Sequence, residues 1–372
     1  MKSKLTDLPE KILEEATRIG IELDEDVRSG TFFHVDQNTI FSKVNDIFED
    51  QIEMMDTKQA LKKYPWLEDY RWKLVDPNKD EYTRRVHDSW SGGYFMRIMP
   101  GAKVTFPLQS CLLITESLQE QRVHNIIIAE KDSDAQILTT CAQHGGGSMA
   151  SHLGISEIYV KENAKLNFAM VHHWGENTIV RPRSATMIEK GGEFISNYIC
   201  MTPIRYVQMY PKAFCNGENA KAVFNSILYV QPHSKMDLGS WAVLNGRGST
   251  AELITRAIIR EGSELISRGT IEGNNTQCRG HLECRGLLLD EDATLQAIPI
   301  LEARKRGAEL THEAAVGKLS DQEISYLMSR GLDEDAAVGT LIRGFMDVGI
   351  MGLSPTISQE MEKIIDMVAD AS

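Results

Sequence analysis

Arg256–Ser267, RAIIREGSELIS, and Gly286–Ile298, GLLLDEDATLQAI, share one pattern: an apolar run, a short polar corner, and a second run in which apolar and polar residues alternate. Alternation with a period of two marks strands with one buried face. Outward from these two stretches the pattern recurs in Phe95–Leu108, Asn125–Leu138, Glu157–Phe168, Ala185–Ser196 and Ile227–Leu238, which makes seven copies. A small residue follows each corner, at Ala102, Ala135, Ala164, Gly192, Ser234, Ser263 and Ala293, spaced by roughly 30 residues with one longer interval. A single coil of this length cannot bury its apolar side alone, so the coils must stack. The pattern predicts a mainly β chain: a right-handed parallel β-helix core flanked by N-terminal and C-terminal α-helical regions. An antiparallel sandwich of hairpins is the alternative that regular strand spacing also fits.

The flanks change texture. Residues 1–92 read as mostly helical, with KILEEATRIG and TKQALKKYPWLEDYRWKLV carrying helical spacing between Asp-, Asn- and Pro-rich loops. The β-helix core is assigned to 93–311 and a C-terminal helical region to 312–372. In that region Ser320 and Glu323 have the spacing of a capping box, and EISYLMSRG ends at Gly331. DEDAAVGTLIRGFM and SQEMEKIIDMV supply two more helices.

Bulk properties narrow the function. A formal charge of −13 argues against a nucleic-acid backbone as partner, and against a DNA-reading function for the C-terminal helices. Tyr326, Leu327, Leu341, Ile342 and Phe345 instead offer apolar and aromatic surface for a protein partner, or pack the helices on one another. The first residues lack the apolar core of a signal peptide, and no stretch approaches a membrane span. Six scattered cysteines then suggest reduced thiols and a cytoplasmic protein. No Gly-rich loop ends in Gly-Lys-Ser/Thr, and no strand precedes Gly-x-Gly-x-x-Gly, so neither ATP hydrolysis nor dinucleotide binding is supported.

Metal-type ligands are densest near the end of the repeats: Cys278, His281, Cys284, His312 and Glu313. Thiolates with imidazole and carboxylate suit iron–sulfur clusters or zinc. Strand parity puts Cys278 and Cys284 on one face and His281 on the other, which disfavours a local zinc site. An inert core thiol remains the commonest fate of a cysteine in an apolar strand. A second candidate is Cys141 in TTCAQHGGGS, where His144 could favour the thiolate. A third is His172 and Trp174, on one strand face, with Lys190 one repeat later; Lys190 alone reads as solvated surface.

GGYFMRIMPGAKVTFPLQ, IEGNNTQCRGHLECRGLLLDEDATLQAIPILE, THEAAVGKLSDQEISYLMSRGL and LIRGFM together resemble SufB and SufD, the paired β-helix scaffolds of the SUF iron–sulfur assembly system. The resemblance implies a non-enzymatic scaffold carrying a transient iron–sulfur cluster. It also implies a SufC-like ABC ATPase docked on the C-terminal helices, Arg330 included, a sulfur donor, recipient apoproteins, and no nucleic acid or membrane. Cys284 matches the cluster-assembly cysteine of SufB, with Glu313 and His312 as its partners. Cys141 matches the sulfur acceptor, and His172, Trp174 and Lys190 fall on the interior route toward the assembly site. The chain departs from SufB at Leu113 and Thr115, where SufB has Arg and Asn, and at His172, where it has Gln. The pair Cys284 and Glu313 makes the chain SufB-like, with a second copy of itself as the expected β-helix partner. A SufD-like structural adaptor and a carbohydrate-active β-helix enzyme are the alternatives.

Overall fold

The computed structural model describes residues 5–116, 119–144 and 149–346, together with 358, 359, 362, 363 and 366. In chain order the strands begin with β1 (Gly30–Val35), β2 (Asn38–Val44), β3 (Ile52–Asp56), β4 (Tyr94–Ile98), β5 (Leu108–Ile114), β6 (Glu120–Ala129) and β7 (Asp134–Gln143). They continue with β8 (Ala150–Val160), β9 (Lys165–His173), β10 (Thr178–Val180), β11 (Arg183–Ile188), β12 (Glu193–Cys200), β13 (Tyr206–Met209) and β14 (Lys212–Cys215). The last are β15 (Lys221–Val230), β16 (Lys235–Leu244), β17 (Thr250–Ile259), β18 (Glu264–Gly273), β19 (Arg279–Leu288), β20 (Thr294–Ala303) and β21 (Glu309–Gly317). The α-helices are α1 (Glu10–Arg18), α2 (Thr57–Lys63), α3 (Glu81–Asp88), α4 (Asp321–Ser329) and α5 (Glu334–Met346).

The chain alternates between two sheets, forming a parallel β-solenoid. The first sheet runs β2-β1-β5-β7-β9-β12-β15-β17-β19-β21, and the second carries β3, β4, β6, β8, β11, β14, β16, β18 and β20 with the short β10 and β13. Every pairing among strands β4 to β21 is parallel, which excludes the antiparallel sandwich; only β1–β2 and β3–β4 are antiparallel among the described residues. Side chains facing inward, such as Leu166, Phe194, Phe224, Leu253 and Leu265, merge into one apolar core between the sheets.

The corners explain the long interval in the repeat. Gly101, Asp132, Asn163, Gly191, Asn219, Gly248, Gln277 and Gly307 all take a left-handed backbone, one per coil, where the second sheet turns into the first. At Gly191, with φ +64°, a Cβ would also approach Asn163 Oδ1 to 2.5 Å, so the corner needs glycine there. The small residue after each bend packs inward: Ala102, Ser133, Ala164, Gly192, Ala220, Ser249, Cys278 and Ala308. Ser234, Ser263 and Ala293 belong to the opposite row of corners, where the first sheet turns into the second. The single series expected from sequence therefore merges two rows, and the step from Gly192 to Ser234 is the change between them. Ala135 is an inward residue of β7 rather than a corner; Ser133 holds that place.

Both flanks depart from expectation. β1 lies parallel to β5 and opens the first sheet, and β3 joins the second, so strands begin within the region expected to be mostly helical. TKQALKKYPWLEDYRWKLV is helical only to Lys63, because Pro65 cannot continue the hydrogen-bond ladder; a 3-10 turn at Pro65–Asp69 follows. At the other end β21 extends the solenoid to Gly317. Ser320 caps α4 through Glu323 N, and Gly331, at φ +100°, follows its last turn. The third C-terminal helix falls mainly outside the described residues.

The outer faces are covered unequally. Residues from α2 and the segment through Leu74 cover the early second sheet, where Trp66 and Tyr70 pack with Phe95, Ile126 and Tyr159. α5 lies on the first sheet, with Val338, Ile342 and Met346 against Ile199, Ile227 and Ile258. All six cysteines are free and buried.

Candidate functional site

Parallel ladders stack residues of equal register into columns along the solenoid. One inward column of the first sheet reads Thr139, Met170, Tyr198, Ser226, Thr255, Cys284 and Ala314. The adjacent column reads Cys141, His172, Cys200, Leu228, Ala257, Gly286 and Val316. Cys284 on β19 thus stands one strand from the end of the sheet. Cys141 on β7 lies five inter-strand steps away, roughly 24 Å at the usual spacing.

Cys284 is 3% exposed. Burial raises its thiol pKa, and the Ser267 hydroxyl offsets part of that rise. Burial of this kind favours the protonated thiol over the thiolate that binds metals. It borders a void of about 10 Å³ lined in part by Ser240, Thr255 and Ser267, the room of a single water.

His312 and Glu313 sit on β21 rather than in the helical region. His312 is opposite Leu282, on the inward parity of Cys284, whereas Glu313 is opposite Glu283 on the outer parity. Both are exposed because no further coil covers β21 among the described residues. The alternation that separates Cys284 from His281 also separates it from Glu313. His281 points outward to Thr311 Oγ1 at 2.9 Å. Among the described residues no group of three His, Cys, Asp or Glu side chains is placed to hold a metal ion. Cys278 is a corner residue whose thiol contacts Asn275 O at 2.9 Å, as Ser249 Oγ contacts Gly246 O at 2.7 Å one coil earlier.

The interior brings Cys141, His172 and Trp174 together and leaves Lys190 out. Cys141 and His172 are register partners, and the His172 and Trp174 rings lie 5.5 Å apart. Tyr198 Oη and His172 Nδ1 share a hydrogen bond at 2.9 Å, while burial holds the imidazole neutral, well below its usual range. Burial also raises the Cys141 thiol. His144 faces Glu15 of α1 at 3.1 Å instead of activating Cys141. Lys190 is an exposed corner residue, so the expected position above Trp174 is not realised; the corner turns its side chain to solvent.

Sequence reasoning missed Cys200, Tyr198 and His152. Cys200 is the next register partner of His172, with its thiol pushed up to about 12 by burial, and the His152 ring lies 5.2 Å from Trp174. Cys141, His172 and Cys200 are one coil apart each, so the repeat length, used as a ruler, was the available signal.

The C-terminal helices divide the residues expected at a partner surface. Tyr326 is 57% exposed, Arg330 is exposed and donates to the Tyr326 hydroxyl at 3.2 Å, and Leu327, Leu341 and Phe345 are half-buried. Ile342 is 0% exposed: it anchors α5 to the solenoid and is not available to a partner. Between these helices and the last strands lies a cleft of about 860 Å³ bordered by Arg256, Arg285, Glu313, Lys318 and Phe345.

Comparison with known proteins agrees with this architecture. A family model described as SUF system FeS cluster assembly, SufBD core domain, matches residues 112–345. An iron–sulfur cluster assembly SufBD family protein of Archaeoglobus fulgidus is 45% identical over 354 residues, covering 95% of this chain and 94% of the relative. The MTH1150 homolog of the same family in Methanothermobacter thermautotrophicus (strain Winter) is 43% identical over 365 residues, covering 97% and 88%. The iron–sulfur cluster assembly protein SufB of Bacillus subtilis is 24% identical over 373 residues, covering 98% and 80%. The chain belongs to the SufBD family of iron–sulfur cluster assembly proteins.

Proposed function

We propose that this SufBD-family chain is a scaffold on which an iron–sulfur cluster is built as transient cargo, at an interface formed when the open ends of two solenoids meet. The observation that carries the proposal is the state of the last coil. β20 and β21 each pair on one side only among the described residues, and Ile300 and Val316 are 44% and 45% exposed. Unpaired strand edges with exposed apolar residues invite a further strand. A second copy meeting this edge about a two-fold axis would give an isologous contact. It would bring both copies of His312 and Glu313 beside the seam, with Cys284 one strand behind.

The three residues then have distinct tasks. Cys284 supplies thiolate once rearrangement of the edge relieves its burial; His312 and Glu313 supply imidazole and carboxylate to iron. A SufC-like ABC ATPase docked on Tyr326, Arg330 and the half-buried apolar residues of α4 and α5 would drive that rearrangement. The domain at 312–372 is then the ATPase-docking region, apart from the β21 residues it contributes to the solenoid. Sulfur enters from a donor and reaches Cys284 from Cys141, past His172 and Trp174, before recipient apoproteins take the cluster. The six free thiols suit a reducing compartment, so the proposed setting is the cytoplasm.

The test is anaerobic reconstitution of the chain with its ATPase, iron and sulfide, followed by absorption spectroscopy. A cluster spectrum that is lost in Cys284→Ala is the expected result. Assembly at the normal level in that variant would leave the chain a structural adaptor. Light scattering on the complex should find two copies of this chain.

A further inference from the structure

The outer face of the last three strands of the first sheet carries a line of alternating charges that the assembly site does not explain. Arg256 on β17 donates through Nη1 to Phe345 O, in the last turn of α5, at 2.8 Å. The same guanidinium contacts Glu283 Oε1 at 2.9 and 3.0 Å, a pair only 16% and 12% exposed. Arg285, next to Cys284 in sequence, reaches Glu283 Oε1 at 3.2 Å through Nε and Glu313 Oε1 at 2.9 Å through Nη2. The Nε contact lacks hydrogen-bond alignment, so the Arg285 fork is shared unequally between two carboxylates.

We infer that Arg285 is a positioning residue that competes with iron for Glu313, and that the ladder Arg256–Glu283–Arg285–Glu313 couples the end of α5 to that competition. The inference rests on the proposed role of Glu313 as an iron ligand. Its physics is charge balance. Glu283 has two cations to satisfy it; whatever Arg256 gives to the α5 carbonyl is withheld from Glu283, which then draws harder on Arg285. Arg285 in turn grips Glu313 less. A helix beneath the ATPase-docking surface thus acts on the carboxylate at the edge of the solenoid without touching it.

The experiment is an anaerobic titration of the full chain with ferrous iron alone, at low ionic strength, where such pairs are least screened. Arg285→Gln is expected to raise iron affinity about two- to five-fold, the range set by an exposed ion pair. Arg285→Lys should fall between, because one ammonium cannot bridge both carboxylates. Arg256→Gln should also raise affinity, since Glu283 then takes Arg285 for itself. A purely structural Arg285 would not produce that response at a residue remote from Glu313. Each gain should vanish when combined with Glu313→Gln, as a double-mutant cycle requires. Glu313-dependent binding that is equal in wild type, Arg285→Gln and Arg256→Gln overturns the coupling alone. Binding that does not depend on Glu313 in any of these backgrounds, or no binding in any, overturns the role of Glu313 itself.

Discussion

Replacing Glu157 by Gln should cost this protein about 2–4 kcal/mol of stability and loosen the N-terminal segment from the solenoid. Glu157 faces outward from β8 yet is fully buried beneath residues 72–75. Its Oε1 accepts the backbone N–H groups of Lys73 at 2.7 Å, Leu74 at 2.6 Å and Val75 at 3.3 Å. Its Oε2 accepts Trp72 N–H at 2.5 Å and meets His124 Nε2 at 2.8 Å. These contacts hold its carboxyl below the usual range although burial alone would raise it, so they outweigh the cost of burying the charge. Gln keeps one acceptor oxygen. Three bonds lose charge assistance, about 1 kcal/mol each, and Trp72 N–H faces an amide NH₂, about 1–3 kcal/mol. Relief of the buried charge offsets part of that sum. Urea denaturation reads the total, and hydrogen exchange at the amides of 72–75 reads the local loss. A change under about 0.5 kcal/mol with those amides still protected would refute the reasoning.

Three further outcomes follow from what is buried and what is exposed. Burial holds His34 and His173 at about 4 and His152 at about 3. Groups depressed in the folded state contribute stability above their unfolded pKa, near 6.5, and lose it as pH falls toward the folded values; His34 alone accounts for about 3 kcal/mol. Urea midpoints should therefore drop between pH 7 and 5, and a flat profile would contradict this. Ile342→Ala should cost about 2–5 kcal/mol of α5 packing and speed exchange of its amides. Tyr326→Ala should change stability by no more than about 0.5 kcal/mol while weakening binding of the ATPase proposed as partner, and equal destabilisation by both variants would show that α4 is as firmly packed as α5.

Legibility followed the physics of the repeat. Runs such as Ile258-Ile259 and Leu287-Leu288-Leu289 around polar corners announce strands, because alternation and corner chemistry are local. The row each corner occupies is not local: Ser234 and Gly192 obey the same rule on opposite sides of the solenoid. The N-terminal strands were missed because β1 gains its identity from pairing with β5, and the role of Glu157 is invisible along the chain because the four backbone N–H groups it accepts come from residues 82 to 85 positions away. Ile342 and Tyr326 read alike on paper, yet only the docking of α5 on the first sheet decides which is anchor and which is surface.

By itself the sequence determined that the chain stacks coils of strands, that it resembles the SufBD family of iron–sulfur cluster assembly proteins, and that Cys284 faces away from His281. Parity along one strand requires only the residues of that strand. The tertiary structure decided that Lys190 leaves the interior, that Cys200 and Tyr198 join it, and that Glu313 is held by Arg285 on the face opposite Cys284. Those outcomes depend on register between coils about 30 residues apart and on the edge that β21 presents among the described residues, and register is fixed only when the coils pack.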